Sequence, residues 1–392
     1  MSAQGFAQQA SALAAQGRDA EADALYQRGI AAFPEDARLA NSAGNFHFKA
    51  QRLERALALF ERALALDPAL VESGVNAAIT LGRLGRPARA VALLAPLEAA
   101  AGAQAGYWRV RADSERQAQL YHAASVSMAR AVALDPGGPK TARSRARLSL
   151  ERSNPEAVAH LEQALTLNRG DPQLLFDYAQ ALAVEGRSAD ALACTTTLVT
   201  HLPGWTEALR LHAELRWGAG DTAQFDDHFA NITAMQGAGP EVWLTWCEVL
   251  DGVDRHGDSA GILARARDIW PENASRALAQ AVALGEAGAA DEAQIVLDRF
   301  AGMTGIGWAT ARGRNLLRRG EIARAETELA TVIAEEPGDV AAWALIDLCW
   351  RLTGDPRHEW LHGQAGLVRQ IALPLAPTDR AEITQLLTAL HR

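Results

Sequence analysis

One short stretch has the residue types and spacing of a zinc-dependent hydrolase site. His358-Glu-Trp-Leu-His362 matches HExxH, in which two histidines one helical turn apart bind zinc and the glutamate activates water. Glu382 follows His362 at a workable spacing for a third ligand. Asp355-Pro356, however, predicts a helix start, which places His358 in the first turn instead of mid-helix. A zinc peptidase is therefore the least favoured of three interpretations.

A second candidate is the pair His256 and Asp258, which has the His-x-Asp spacing that some iron enzymes use. The pair falls where the sequence predicts a turn between two helices, and not on a strand. The sequence also lacks a GK[ST] phosphate-binding loop and the G-x-S-x-G elbow of hydrolases. We therefore predict no catalytic residue, no metal and no cofactor for this chain.

Composition narrows the class of protein further. The chain has 392 residues, a net charge of −9 and 49% hydrophobic residues, which argues against both nucleic-acid binding and wholesale disorder. No run of 18 apolar residues exists, so we expect no membrane span. Cys194, Cys247 and Cys349 fit neither a disulfide framework nor a metal knuckle, which favours the reducing cytoplasm.

The informative signal is a repeat of about 34 residues. Three residue types recur with this period or a multiple of it. The alanines are Ala22, Ala56, Ala90, Ala124, Ala157 and Ala191; the prolines are Pro34, Pro68, Pro136, Pro203, Pro271 and Pro337; the glycines are Gly17, Gly85, Gly186, Gly220, Gly288, Gly320 and Gly354.

Each series has a physical reason. A glycine in a left-handed conformation ends the first helix of a pair without steric cost, and a polar residue such as Asp19, Asp221 or Asp291 follows it to cap the second helix. The alanine lies where two helices cross closely, and the proline stops the second helix. Apolar residues recur at helical spacing between these markers, so the sequence predicts an all-α chain of helix pairs.

This pattern resembles the tetratricopeptide repeat, a helix-turn-helix unit of the same period. The match is best where Gly44, Ala56, Phe60, Ala63 and Pro68 occupy its small, aromatic and proline positions. The resemblance implies a right-handed superhelical α-solenoid of about ten helix pairs. We expect repeats to begin near residues 3, 37, 71, 105, 138, 172, 206, 240, 274 and 306, with a degenerate eleventh near 340.

The resemblance also implies that the first helices line a concave wall that binds a protein or peptide. Residues on these helices are therefore the binding candidates, and their cations suit an acidic partner or a terminal carboxylate. The candidates are Asn41, Asn45, Lys49, Arg109, Arg116, Arg143 and Arg147. The two arginines of the fifth repeat belong to a basic run with Lys140, Arg145 and Arg152.

We expect the solenoid to span residues 1–355, followed over 356–392 by a capping helix, a proline-punctuated linker and a final amphipathic helix. The stretch Trp350–Leu361, then Leu373-Pro374 and the helix ending Leu390-His391, resembles a bacterial family. In that family, tetratricopeptide repeats precede a 2-oxoglutarate/Fe(II)-dependent oxygenase domain. The matched stretch is the linker into that domain, and no β-rich segment of the needed length follows it here.

Three interpretations follow from the sequence. The first is a scaffold that recognises a protein or peptide through its concave face, without nucleic acid or membrane as a partner. The second is the substrate-recruiting arm of an oxygenase whose catalytic part is missing from this chain. The third is the zinc peptidase that uses His358, Glu359 and His362. The sequence favours the first and does not set the oligomeric state.

Overall fold

The computed structural model describes residues 1–235 and 238–362. Within these residues the chain is helical throughout, with no strand. It divides into two compact units, residues 1–232 and residues 233 onward. The boundary falls inside one helix, α15, which spans Asp227–Ala234.

The helices up to this boundary make up unit 1. They are α1 Ala3–Ala15, α2 Asp19–Ala32, α3 Ala37–Lys49, α4 Leu53–Leu66, α5 Val71–Arg83, α6 Pro87–Leu94, α7 Glu98–Ala101 after a 3₁₀ turn at Ala95–Leu97, α8 Ala105–Gln117, α9 Tyr121–Leu134, α10 Pro139–Glu151, α11 Ala157–Leu167, α12 Pro172–Val184, α13 Ser188–His201, α14 Thr206–Gly218 and α15.

The remaining helices make up unit 2. They are α16 Pro240–Asp251, α17 His256–Arg267, α18 Ala274–Glu286, α19 Ala290–Arg299, α20 Ile306–Arg318, α21 Ile322–Glu335, α22 Val340–Thr353 and α23 Arg357–His362.

The helices form antiparallel pairs, and each pair packs on the next. The first helices begin at residues 3, 37, 71, 105, 139, 172, 206, 240, 274, 306 and 340, so the predicted repeats are confirmed within one residue. In unit 1 the first helices α1, α3, α5, α8, α10, α12 and α14 contact one another in sequence and form one layer. Each unit is therefore an α-solenoid stack with a first-helix layer and a second-helix layer.

The turn inside each pair contains a residue with positive φ. The predicted glycines have it, from Gly17 at 73° to Gly354 at 71°. In the four repeats that lack this glycine, the same place is taken by Gln51, Gln119, Ser153 and Asp254, whose φ angles are 49–61°. The repeat thus imposes positive φ at this turn position, even where the residue is not glycine and disfavours that conformation.

The alanine and proline positions also behave as predicted. Ala22, Ala56, Ala90, Ala124 and Ala191 are completely buried where paired helices cross, and the prolines follow the ends of second helices. The predicted caps need correction, because Asp19 and Asp291 lie inside the first turn of their helices. Asp221 accepts a hydrogen bond from the Gln224 amide at 3.1 Å, but residues 222–226 form a turn and α15 begins only at Asp227, so Asp221 does not cap that helix.

Repeat five is shorter than its neighbours at one point. In the other repeats the alanine position follows the positive-φ residue by five residues, as from Gln119 to Ala124, whereas Ala157 follows Ser153 by four. As a result α11 has 11 residues and starts at Ala157, whereas α9 and α13 have 14. Residues 154–156 form a turn in place of the first helical turn.

The predicted division at residue 355 stays a prediction. The structure shows α23 beginning at Arg357, whose amide donates to Asp355 Oδ1 at 2.9 Å, next to the predicted start at Asp355-Pro356. The predicted linker and final amphipathic helix fall in residues 363–392, outside the described part of the chain.

Candidate functional site

A cavity of about 340 Å³ opens on the first-helix layer of unit 1, beside α5, α8 and α10. All three helices direct basic side chains to it. These side chains are Arg83, Arg109, Arg116, Lys140, Arg143 and Arg147. The structure therefore brings four of the predicted binding residues, the arginines of α8 and α10, into one place, which we call the basic cavity.

Asp113 is the one carboxylate among the residues that line the basic cavity. Its Oδ2 accepts a hydrogen bond from Ser144 Oγ at 2.8 Å and lies 3.3 Å from Arg109 Nη1. Burial raises the pKa of Asp113, while Ser144 and the nearby arginines oppose that rise. A single carboxylate that is costly to ionise neutralises only part of the positive charge.

Two further carboxylates lie next to the cavity. Asp171 Oδ2 lies 2.9 Å from Arg143, and Glu151 pairs with Arg116. Arg116 still has a buried Nε without a hydrogen-bond partner. Within residues 1–235 and 238–362, neither Lys140 nor Arg147 forms an ion pair with a carboxylate. The basic cavity therefore carries positive charge that the protein itself leaves uncompensated.

The predicted asparagines lie elsewhere on the same layer. Asn76 Nδ2 of α5 donates to Asn41 Oδ1 at 3.3 Å and to Asn45 Oδ1 at 3.1 Å. Asn41 is buried by this contact, whereas Asn45 and Lys49 line a separate cavity of about 350 Å³ together with Tyr26. The asparagine pair thus joins two repeats through one amide of the next first helix.

Sequence reasoning missed two residues that complete these surfaces, Asn76 and Arg83. Asn76 stands about one repeat period after Asn41, so the period alone was the signal that pointed to it. Arg83 stands one repeat period after Lys49, so the same signal pointed to it. Asp113 shares α8 with the predicted Arg109 and Arg116, and the packing of neighbouring first helices brings it to the basic cavity.

Unit 2 offers a contrasting cavity on its own first helices. It measures about 280 Å³ and is lined by Arg314 and Arg318 of α20. Glu286 of α18 binds both, with Arg314 Nη1 at 3.1 Å and Arg318 Nη2 at 2.6 Å. Because an internal carboxylate already binds both cations, this cavity has less to offer an anionic partner than the basic cavity.

The two metal-like motifs do not assemble a site in the described residues. His256 and Asp258 lie in the first turn of α17, and not in the turn before this helix as the sequence predicted. His256 Nδ1 lies 2.9 Å from Asp251 Oδ1, whereas Asp258 Oδ2 accepts from Arg255 Nε at 2.7 Å. Since the two side chains bind different partners, they do not converge on a common ion.

His358 is the second residue of α23, in the first turn as the sequence predicted. No group of three histidine, cysteine, aspartate or glutamate side chains in the described residues is arranged to hold a metal ion. The side chain of His362 and residue Glu382 lie outside those residues. So do Leu373-Pro374 and Leu390-His391, and the zinc-peptidase and oxygenase interpretations therefore stay predictions.

Stacked antiparallel helix pairs define a helical-repeat scaffold, the class of fold used for protein interactions. Within that class, models of the tetratricopeptide repeat match residues 8–70 and residues 148–215. The regular recurrence of the helix pairs along both units agrees with these matches. The chain therefore contains tetratricopeptide repeats in these two stretches.

Several solved structures are similar to parts of the chain. The type IV pilus biogenesis factor PilW has 17% identity and a TM-score of 0.49, over 53% of this chain and 96% of that one. A tetratricopeptide repeat protein from Parabacteroides merdae ATCC 43184 has 15% identity and a TM-score of 0.43, over 62% and 98%. A thermophilic tetratricopeptide repeat protein from Thermus thermophilus has 22% identity and a TM-score of 0.39, over 46% and 98%.

Two further findings are negative. No curated protein matches the chain. Among the described helices, none combines the length and the apolar character needed to cross a membrane.

Proposed function

We propose that this chain is a scaffold that binds an acidic segment of a protein partner in the basic cavity. The observation that carries the proposal is the gathering of basic side chains from three consecutive repeats around one carboxylate, Asp113. Arginine forks suit carboxylates on side chains and at a chain terminus alike.

The state of the individual cations supports this choice of surface. Lys140 and Arg147 line the basic cavity and form no ion pair with a carboxylate in the described part of the chain, so they are available to a ligand. Asn45 and Lys49 lie in the neighbouring cavity, where they would hold the backbone of an extended segment.

The cysteines favour a reducing compartment for this interaction. Cys194, Cys247 and Cys349 are all free thiols, and burial raises the pKa of each. Such thiols are inert packing groups, and they suit the cytoplasm, where we place the protein.

The test uses a fluorescein-labelled peptide of alternating glutamate and alanine with a free carboxyl terminus, titrated into the full chain by fluorescence anisotropy. We expect binding to weaken by about fivefold to a hundredfold in Arg143→Ala/Arg147→Ala, which corresponds to about 1–3 kcal/mol for charged contacts. We also expect it to weaken with added salt, because the contacts are electrostatic.

The matched control is Arg28→Ala/Arg38→Ala, which removes two exposed cations away from the cavity. This variant should bind the peptide like the parent chain. Equal losses in both double variants, or equal binding of a lysine-alanine peptide, would contradict the proposal because net charge or nonspecific contact would then explain the result.

A further inference from the structure

The basic run on α10 faces two ways. Arg143 and Arg147 line the basic cavity, whereas Arg145 and Arg152 line a second cavity of about 750 Å³. Successive residues of an α-helix are about 100° apart, so Arg145 stands roughly 200° around α10 from Arg143, while Arg152 directly follows the last residue of the helix. One basic stretch therefore supplies cations to two separate surfaces.

The second cavity lies between α10 and the second helices α9 and α11, and we call it the outer groove. Met128 and Val132 of α9 and Leu148 of α10 form the apolar part of its floor, beside the buried pair Ser149 and His160, whose Oγ and Nδ1 are 2.7 Å apart. Met128 is 4% exposed and Leu148 is 6% exposed, so both are fixed by the core below. Ala129 and Ala133 are exposed along its edge and leave it open.

The outer groove lies where α11 lacks its first helical turn. The groove is lined there by Ser153, Asn154, Pro155 and Glu156. At the equivalent place in the neighbouring repeats, the second helices α9 and α13 have already begun, three residues before their alanine positions. Pro155 disfavours helical geometry at Asn154, whose Oδ1 instead accepts from the Glu156 amide at 2.8 Å. The one-residue deletion therefore leaves an opening beside α9 that a full helical turn would narrow.

The rim of the outer groove is positively charged. Arg145 is half-buried and forms no ion pair with a carboxylate in the described residues. Arg152 Nη1 donates to the neutral Ser125 Oγ at 3.0 Å. Glu156 is the one carboxylate among the lining residues, and its Oε2 lies 3.4 Å from His160 Nε2. Although the chain as a whole is acidic, the outer groove therefore carries a local excess of positive charge around the apolar part of its floor.

We propose that the outer groove binds an amphipathic helix of a partner protein, with an apolar side chain on the floor and carboxylates beside Arg145 and Arg152. Helix-in-groove recognition needs an apolar track with charges that match the flanks of the ligand, and this groove has both. The site lies on the opposite face of α10 from the basic cavity, so it does not depend on the function proposed above.

The test uses a fluorescein-labelled peptide of leucine and glutamate with helical spacing, and a twin with lysine in place of glutamate. We expect the acidic peptide to bind the full chain and the basic twin not to bind. Ala129→Glu, at an exposed position on the groove edge, should weaken binding at least about tenfold, and Ala129→Lys should not. Arg145→Glu should also weaken it.

The matched control is Thr196→Glu, at the equivalent exposed position of α13. This variant and Arg143→Ala/Arg147→Ala should keep full binding. The proposal is overturned if neither peptide binds, if both bind equally, or if binding is lost with Arg143 and Arg147 but kept in Ala129→Glu.

Two other occupants give distinct results. Binding that occurs only after deletion of residues 363–392 would assign the groove to that segment. Self-association of the parent chain that Ala129→Glu abolishes would assign it to a second copy. Either result also overturns the proposal.

Discussion

At the residue scale, arginines differ in whether acceptors of the protein itself satisfy their hydrogen-bond donors. Arg276 is 3% exposed and has no carboxylate, yet its Nη1 donates to Gln280 Oε1 at 2.6 Å and its Nε to the Trp270 carbonyl at 3.2 Å. Burial lowers the pKa of Arg276. Arg147 has no such acceptor among the residues that the structure describes, which fits the proposal that it is available for binding whereas Arg276 is structural.

We expect Arg276→Met to destabilise unit 2 by about 1–3 kcal/mol, because the carbonyl groups and Gln280 lose their buried donor. The measurement is urea unfolding followed by circular dichroism. Arg299→Ala is the control, since its ion pair with Glu272 at 2.8 Å is exposed and worth about 1 kcal/mol or less. Equal destabilisation by both changes would contradict a special role for Arg276.

If an acidic ligand binds in the basic cavity as we propose, Asp113 competes with it for Arg109. We expect Asp113→Asn to tighten binding of the glutamate-alanine peptide by about fivefold, since the internal carboxylate is removed while Ser144 keeps a hydrogen-bond partner. Anisotropy titration of both chains measures the change. Unchanged or weaker binding would show that Asp113 positions the arginines and does not compete with the ligand.

At the element scale, the turn between paired helices is a constant of the fold. Gly85 has φ 69°, and Gln51 has φ 59° at the same place in the preceding repeat. A left-handed conformation is unfavourable for residues with a Cβ atom, so each such residue must be held there by the packing of its helix pair.

This difference predicts opposite effects of two substitutions. Gly85→Ala should destabilise the chain by about 1 kcal/mol through the backbone alone, because a Cβ there meets nothing within 4 Å. Gln51→Gly should be neutral or stabilising. Thermal unfolding measures both.

The control is Gly106→Ala, which lies inside α8 and also has open space around its Cβ. It should be neutral or slightly stabilising, because alanine favours the helix. A loss of stability in Gly106→Ala as large as that in Gly85→Ala would argue against the backbone explanation.

At the scale of the whole molecule, each unit is a stack in which stability comes from neighbouring pairs. The last pair of unit 1 contains the buried His212 and the half-buried His228, whose rings are 4.4 Å apart. His212 Nε2 and His228 Nδ1 have no hydrogen-bond partner, and Arg216 lies close enough to disfavour added positive charge. This pair is therefore an acid-sensitive part of unit 1, in addition to the buried His47 and His160, whose pKa values burial also lowers.

Burial lowers the pKa of His212 to about 4, with contributions from His228 and Arg216, and it also lowers the pKa of His228. The unfolded chain takes up the proton near pH 6.5, so stability is complete above that pH and is lost as the pH falls toward 4. We expect the urea midpoint of unit 1 to drop from pH 7.5 to pH 5, and His212→Gln to reduce that drop.

The exposed His201 provides the control, and His201→Gln should leave the pH dependence unchanged. Hydrogen exchange at pH 7.5 and 5 locates the effect. Acid loosening centred on another helix pair instead of α14 and α15 would rule out this histidine pair as its cause.

The period of the sequence determined most of the fold. Glycine, alanine and proline at intervals of about 34 residues are local requirements of a turn, a helix crossing and a helix stop, so they could be read without coordinates. The same reasoning placed Arg143 and Arg147 on one face of α10, because helical spacing is local too.

Only the tertiary structure decided what those faces meet. The sequence treated the basic run of α10 as one feature, whereas packing against α8 on one side and α9 on the other divides it between two cavities. Likewise, the shortened interval from Ala124 to Ala157 gave no sign of a groove until α11 was found to begin late. Cavities and unpaired charges depend on neighbours distant in the chain, so no local pattern encodes them.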